Sequence, residues 1–300
     1  MIQPLDEAPV PGLDPVAAKR WLTLTRSGSS WLHEEIARRM IERLQWFRDP
    51  PASWMHWEPE IGGLQAHDAL AQRLPGAAMQ VWTHHGRLPE ALQKPSRGVW
   101  DRLPWRKAAG RVSVASPDSV VSMLWSNMFL HMVAQPQGVL QQWHRHVATG
   151  GFVMFSCLGP DSLKELRNVY GEAGWPAPAH SFTDMHDWGD MLVHAGFAEP
   201  VMDMERITLT FSSAEALLDE LRGLGRNLAS GRFAGLRSSA WRNRLMALIE
   251  QRGARSGDGR LALTFEVIYG HAFKAERRGA KGNQTVSVDD MRAMLRTRKP

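Results

Sequence analysis

The sequence predicts an α/β protein with a doubly wound, mostly parallel sheet and a helical insertion around residues 205–258. Residues 120–125 and 152–155 are compact apolar runs without polar alternation, which is typical of strands covered on both faces. Segments with apolar residues at helical spacing separate such runs along most of the 300-residue chain. This alternation of strand and helix indicates parallel strands connected by helices.

The individual elements follow from periodicity and from the glycines and prolines between them. In the first half we predict a helix over residues 30–44, a strand over 52–56, a turn over 59–63, a helix over 64–73 and a strand over 79–83. In the second half we predict helices over residues 135–147, 184–195, 213–224 and 239–251, and strands over 199–203 and 261–274.

The ends of the chain are predicted to be tails around one domain. We assign residues 1–29 to an N-terminal tail, 30–275 to the α/β domain and 276–300 to a basic C-terminal tail with a short amphipathic helix from Ser287. The N-terminus has no basic region followed by an apolar one, and no run is long and apolar enough to cross a membrane. With a single cysteine, Cys157, the chain cannot form an intramolecular disulfide, so we expect a cytoplasmic protein.

Basic residues concentrate in one region of a chain whose formal net charge is +5. Residues 222–244 contain six arginines and no acidic residue. This run is either a solvated helix face with its loop or a docking surface for an acidic partner. Nucleic acid is not the expected partner, because no zinc-finger, RNP or homeodomain-type pattern accompanies the charge.

A ligand site is expected where the predicted strands end. In doubly wound sheets ligands bind beyond the carboxyl ends of the strands, so the loop over residues 56–63 and the segment after residue 125 are the first candidates. The pairs His84–His85 and His144/His146 lack a nearby third ligand of recognisable geometry, so we predict exposed histidines there and no metal site.

Several segments resemble the malonyl-acyl-carrier-protein O-methyltransferase family of biotin synthesis, in particular its divergent betaproteobacterial branch. Each segment is weakly specific alone, but together they cover roughly residues 30–275. His131, His186 and His271 lie within them, where either a direct role or hydrogen bonding to neighbouring groups is open. The segments are WSNM followed by LH at 125–131, GFVMFS and LGPDSL at 151–163, DMHD through GDML at 184–192, AGF at 195–197, LRGLG at 221–225, and LTFE through YGHA at 263–272.

The resemblance implies a Rossmann-like class I methyltransferase fold with S-adenosyl-L-methionine as cofactor. It also implies an enzyme that transfers a methyl group to the free carboxylate of a malonyl thioester on acyl carrier protein. A malonyl carboxyl has a pKa well below 7 and is already ionised, so no catalytic base is expected. The alternative is a protein of the same fold that no longer transfers methyl groups and acts through partner binding.

The first loop departs from the family pattern D-x-G-x-G-x-G. His56 lies at the acidic position, Glu58 and Glu60 lie at the first two glycines, and Gly62 matches the third. Thr83 lies where an acidic residue normally ends the second strand and binds the ribose hydroxyls. Two compensations are open: a glutamate of the loop faces the cationic end of the cofactor, or the loop is re-routed so that the glycines make the close approach.

The remaining candidates follow the fourth strand and the arginine run. Trp125, Ser126 and Asn127 end that strand, and the two polar residues either contact cofactor or substrate or cap a helix from Met128 onward. A free carboxylate is bound well by the bidentate guanidinium of an arginine, and arginine side chains also suit the acidic surface of a carrier protein. The arginines that we assign to these tasks are Arg226, Arg232, Arg237 and Arg242.

Overall fold

The computed structural model describes residues 12–24, 26, 28–93 and 112–275. The predicted C-terminal helix, the basic linker before it and residues 1–11 lie outside these ranges. Within them, no helix is long and apolar enough to cross a membrane.

The prediction of a doubly wound, mostly parallel sheet is confirmed. The described residues form a seven-stranded sheet of order β3-β2-β1-β4-β5-β7-β6. β1 to β5 pair in parallel, whereas β7 runs antiparallel between β5 and β6. The strands are β1 Ser53–Trp57, β2 Ala78–Trp82, β3 Ser113–Val114, β4 Val121–Ser126, β5 Val147–Leu158, β6 Ala198–Phe211 and β7 Leu261–Phe273.

Of the helices in the described residues, the first two precede β1 and the others lie between strands. The helices are α1 Pro15–Leu22, α2 Trp31–Glu42, α3 Pro59–Gly62, α4 Leu64–Arg73, α5 Pro136–His146, α6 Lys164–Glu172, α7 Met185–His194, α8 Ala214–Leu224 and α9 Ser239–Arg252.

The apolar side chains form two clusters because the central strands are covered on both faces. In β4, Met123 and Trp125 belong to one cluster, while Leu124 between them belongs to the other. This is the two-residue period of a strand whose successive side chains point to opposite faces. β4 and β5 therefore lack polar alternation because both faces of these strands are covered, as the sequence indicated.

Several boundaries differ from the predictions. β6 is 14 residues long because it pairs with β7 out to Phe211, and β5 is 12 residues long because it pairs with β4 from Val147 and with β7 out to Leu158. That extension places strand at the start of the segment predicted as a helical insertion, and α6 was not predicted. In the stretch predicted as an N-terminal tail, α1 is capped by Asp14 and buries Trp21. The division into domain and tails as a whole stays a prediction.

We predict opposite effects for alanine at two glycines. A Cβ at Gly270 in β7 would lie 2.5 Å from Cε1 of the buried Phe155, so Gly270→Ala should lower the free energy of unfolding by about 1–3 kcal/mol. Gly138 in α5 has no atom within 4 Å of such a Cβ, so Gly138→Ala should raise it by up to about 1 kcal/mol. Urea unfolding of both variants tests this, and equal changes would contradict the packing described.

Candidate active site

The carboxyl ends of β1, β2 and β4 are neighbours, so the sheet brings most of the predicted cofactor residues together. Trp57 pairs with Trp82 of β2 on one side and with Ser126 of β4 on the other. Glu58, Thr83 and Asn127 each follow one of these strands. These residues therefore cluster at one edge of the sheet, and their role as a cofactor site stays a prediction.

Glu58 begins the loop in an unusual backbone conformation. Its φ of 53° and ψ of 63° lie in the left-handed region, which glycine adopts more readily. Its N–H donates to the carbonyl oxygen of Trp82 at 2.8 Å, and its own carbonyl oxygen accepts from Ile61 and Gly62 in α3. A glutamate thus occupies the strained position of the first family glycine, and its backbone is held by the start of α3.

The carboxylate of Glu58 turns toward the end of β2. Its Oε1 accepts a hydrogen bond from the backbone N–H of His84 at 2.7 Å, and the residue is 5% exposed. Burial raises the pKa of Glu58 to about 7, although the His84 N–H and the positive charge of Arg26 oppose the shift. Glu58 therefore changes charge near neutral pH, a property that the sequence does not reveal.

Thr83 does not present a free hydroxyl. Its Oγ1 donates to the carbonyl oxygen of Arg87 at 2.8 Å and accepts from the Arg87 N–H at 3.2 Å. These bonds close the turn after β2. The carboxyl group at the end of β2 therefore comes from Glu58 of the neighbouring loop, because Thr83 itself carries only a hydroxyl.

His56 and Gly62 are packed tightly in the middle of the loop. A Cβ at Gly62 would lie 3.0 Å from Nε2 of His56 and 3.1 Å from the carbonyl oxygen of Asn127, which explains why glycine remains at this third position. The His56 ring is fully buried and stacks on His67 with centroids 5.6 Å apart. Burial lowers the pKa of His56 well below its ordinary value, so the ring is neutral, unlike the acid it replaces.

Asn127 ties the end of β4 to its surroundings. Its Nδ2 donates to the carbonyl oxygens of His33, at 2.8 Å, and Gly62, and its Oδ1 accepts from the Ser156 hydroxyl at 2.6 Å. Of the two alternatives for Ser126 and Asn127, the helix cap does not apply, because the 3₁₀ turn Leu130–Met132 follows without a side-chain cap; contact with cofactor or substrate stays a prediction. Trp125 and Ser126 are buried, and their Nε1 and Oγ have no hydrogen-bond partner within the described part of the chain.

A polar cavity of about 250 Å³ lies beside the loop. Glu60 and Arg26 contribute opposite charges to its wall, together with Ser30 and His33. Arg26 comes from the stretch predicted as a tail, so sequence analysis missed it. Charged groups of both signs in one cavity suit a zwitterionic ligand.

A second cavity, of about 350 Å³, is mainly apolar and adjoins the first. His33, Arg222 and residues 224–226 line both cavities. Its remaining wall comes from α6, α8, the segment after β4 and residues 178–182. Two polar residues of this wall, His131 and His180, are buried.

The four candidate arginines separate into different environments. Arg226 lines both cavities, and its Nη1 donates to the carbonyl oxygens of Arg222 and Gly225. Arg232 instead pairs with Asp14 at 2.7 Å, away from either cavity wall. The other two lie on the surface near α9: Arg237 stacks on Phe233 and Trp241, and Arg242 pairs with Glu215 at 3.2 Å.

One expectation about the histidines needs correction. His84 and His85 are exposed, but His146 is buried, and its Nδ1 lies 2.7 Å from the carbonyl oxygen of Ser119. The sequence could not indicate this, because the contact joins α5 to the loop before β4. In the described ranges no three His, Cys, Asp or Glu side chains are arranged to hold a metal ion.

We predict that Glu58 makes the protein less stable as pH rises. The folded state holds the Glu58 proton up to about pH 7, whereas the unfolded chain releases it near pH 4.5, so the contribution of Glu58 to the free energy of unfolding should fall between these values. Buried histidines such as His33 and His56, whose pKa values burial lowers, contribute a slope of the opposite sign, so the contribution of Glu58 is read from a difference between variants. The shift in the pKa of Glu58 corresponds to about 3 kcal/mol. In urea titrations from pH 4.5 to 8, the free energy of unfolding of the wild type minus that of Glu58→Gln should fall as pH rises, whereas the same difference for Glu90→Gln, at an exposed carboxyl, should stay constant. An unchanged slope in Glu58→Gln would refute the assignment.

Comparison with known proteins identifies the family. No family model matches the chain. The chain is 42% identical over 263 residues to the malonyl-(acyl-carrier protein) O-methyltransferase of Nitrosospira multiformis, with 81% of this chain and 82% of that protein covered. It is 36% identical over 263 residues to the enzyme of the same name from Gallionella capsiferriformans, with 82% and 85% covered.

A solved structure supports the fold independently. The YcgJ protein of Bacillus subtilis superposes with a TM-score of 0.50 and 9% identity, covering 80% of this chain and 99% of that one. At this identity the likeness concerns the fold alone. From the similarity to the curated relatives, the chain belongs to the malonyl-(acyl-carrier protein) O-methyltransferase family.

Proposed function

We propose that this protein is an S-adenosyl-L-methionine-dependent O-methyltransferase that methylates the free carboxylate of a malonyl group on acyl carrier protein in biotin biosynthesis. The observation that supports it best is the pair of adjoining cavities at the carboxyl ends of the strands. One cavity is polar and contains side chains of both charge signs, and the other is mainly apolar. His33 and Arg226 line the two cavities together. A methyl donor and an acyl substrate need such adjacent compartments.

The charges of the polar cavity fit the amino-acid end of the cofactor. Arg26 suits its carboxylate, and Glu60 suits its ammonium group. Glu58 begins that loop and interacts electrostatically with Arg26 and Glu60, so its ionised carboxylate would favour a positive sulfonium in the cavity from a distance. Since these glutamates replace glycines, the loop provides charge where the family pattern provides close backbone contact.

The bound cofactor would supply a methyl group activated by the positive sulfonium. An ionised carboxylate oxygen would accept this methyl group without any proton transfer. The task of the protein is to align the two reactants, and such positioning is worth on the order of 7 kcal/mol. Arg226 would hold the substrate carboxylate, because it alone among the four candidate arginines lines both cavities. Asn127 would act indirectly, by fixing the carbonyl groups of His33 and Gly62.

The carrier protein would dock on the surface around the start of α9. Arg237 and Arg242 lie there beside Phe233 and Leu236, which are 48% and 99% exposed. Positive charge beside exposed apolar side chains suits an acidic helical surface. We propose that this reaction takes place in the cytoplasm, where the buried thiol of Cys157 would stay reduced.

We predict that S-adenosylmethionine binding strengthens with pH relative to S-adenosylhomocysteine. Ionisation of Glu58 near pH 7 adds a negative charge for the sulfonium, which the neutral thioether of the product lacks. Calorimetry should give an affinity ratio that rises roughly tenfold from pH 6 to pH 8. Glu58→Gln should hold the ratio constant. No heat with either ligand at millimolar concentration would refute the enzyme and favour the partner-binding alternative.

We predict that carrier-protein binding depends on the α9 arginines and on salt. The double variant Arg237→Glu, Arg242→Glu should weaken binding of malonyl acyl carrier protein by tenfold or more at low salt, and the loss should shrink above about 0.5 M salt. Arg38→Glu is the matched control, because Arg38 is exposed and ion-paired but lies on α2. Equal affinity of the double variant and the wild type at low salt would exclude this surface.

A further inference from the structure

Two buried histidines line the apolar cavity, and no role has been assigned to them in the loop after β1 or in substrate binding by the arginines. His131 and His180 are 8% and 3% exposed, and both line the cavity. The Nδ1 atom of each ring has no hydrogen-bond partner in the part of the chain that the structure describes. A buried polar atom without a partner is costly, so such an atom on a cavity wall indicates a ligand with a complementary group.

The chemistry of the His180 ring can be assigned from its other nitrogen. Nε2 lies 2.8 Å from the carbonyl oxygen of His131, which can only accept, so Nε2 carries the proton. Burial lowers the pKa of His180, so the ring is neutral. Nδ1 is therefore a lone-pair acceptor and requires an N–H or O–H donor from the ligand.

The segment that carries His180 is held in place rather than free to turn. Arg167 of α6 donates to the carbonyl oxygen of His180 at 2.8 Å and to that of Ala179 at 3.4 Å. The rings of His131 and His180 both pack edge-on against Phe182, at 5.6 and 4.9 Å. The acceptor thus has a fixed direction, as a specificity-determining group needs.

Building on the proposed function, we infer that His180 is a substrate-positioning residue. The malonyl group is linked by a thioester to an arm of acyl carrier protein, and Nδ1 of His180 accepts a hydrogen bond from the amide N–H of that arm nearest the thioester. The alkyl parts of that arm suit the apolar wall formed by Leu166, Leu218 and Leu221. Arg222, at the exposed edge of the cavity, suits the anionic groups of that arm, while Arg226 is assigned to the substrate carboxylate. The ligand class is an acyl thioester with an amide close to sulfur, and a plain alkyl thioester lacks the group that His180 requires.

The test compares two malonyl thioesters that differ in one group: the N-acetylcysteamine thioester, with an amide, and its 2-acetoxyethyl analogue, with an ester oxygen in place of N–H. Binding is measured by calorimetry without any methyl donor, so the result does not depend on cofactor binding or turnover. The wild type should bind the amide about tenfold tighter than the ester. Equal binding of the two thioesters by the wild type would overturn the inference.

Two variants separate positioning from a structural role. His180→Asn keeps an acceptor near the position of Nδ1, whereas His180→Gln keeps a donor near Nε2 for the His131 carbonyl. The amide preference should persist in His180→Asn and disappear in His180→Gln. The reverse order would mean that the contact with the His131 carbonyl is what matters. Loss in both variants, while their thermal unfolding stays like the wild type, would mean that an acceptor at the position of Nδ1 does not produce the preference. Either result would overturn the inference.

Discussion

The hydrogen bonds of the Asn127 side chain are the interaction on which the site depends most. One buried amide connects the end of β4 to α2 through His33, to α3 through Gly62 and to β5 through Ser156. Because the amide is fully buried, its own donor and acceptor would be left without partners if it moved, at about 1–3 kcal/mol per unsatisfied group. The amide therefore fixes the distance between the loop after β1 and the two cavities, which share His33.

The loop after β1 shows how a lost motif can leave the architecture intact. Gly62 is retained because His56 and the backbone of Asn127 leave no space for a Cβ there. Glu58 is tolerated at a left-handed position because its backbone starts α3 and its carboxylate accepts from His84. What changes is the electrostatics: His56 is a neutral buried ring, and Glu58 is a carboxyl with a pKa of about 7.

The predictions from sequence succeeded where the signal was local. Uninterrupted apolar runs identified β4 and β5, since strands buried on both faces need no polar face. The candidate residues Glu58, Thr83 and Asn127 meet at one edge because parallel strands place their carboxyl ends together. The prediction failed for His146, which is buried because its ring contacts the carbonyl oxygen of Ser119 in a distant segment.

The sequence by itself determined the doubly wound fold, the family resemblance and the replacement of two family glycines by glutamates. Only the tertiary structure decided what those glutamates do, because the pKa of Glu58 depends on burial and on the N–H of His84 from another strand. It likewise placed Arg26, His33 and His180 on the cavity walls. No sequence pattern indicates such residues, since they are joined by packing between segments that are far apart in the chain.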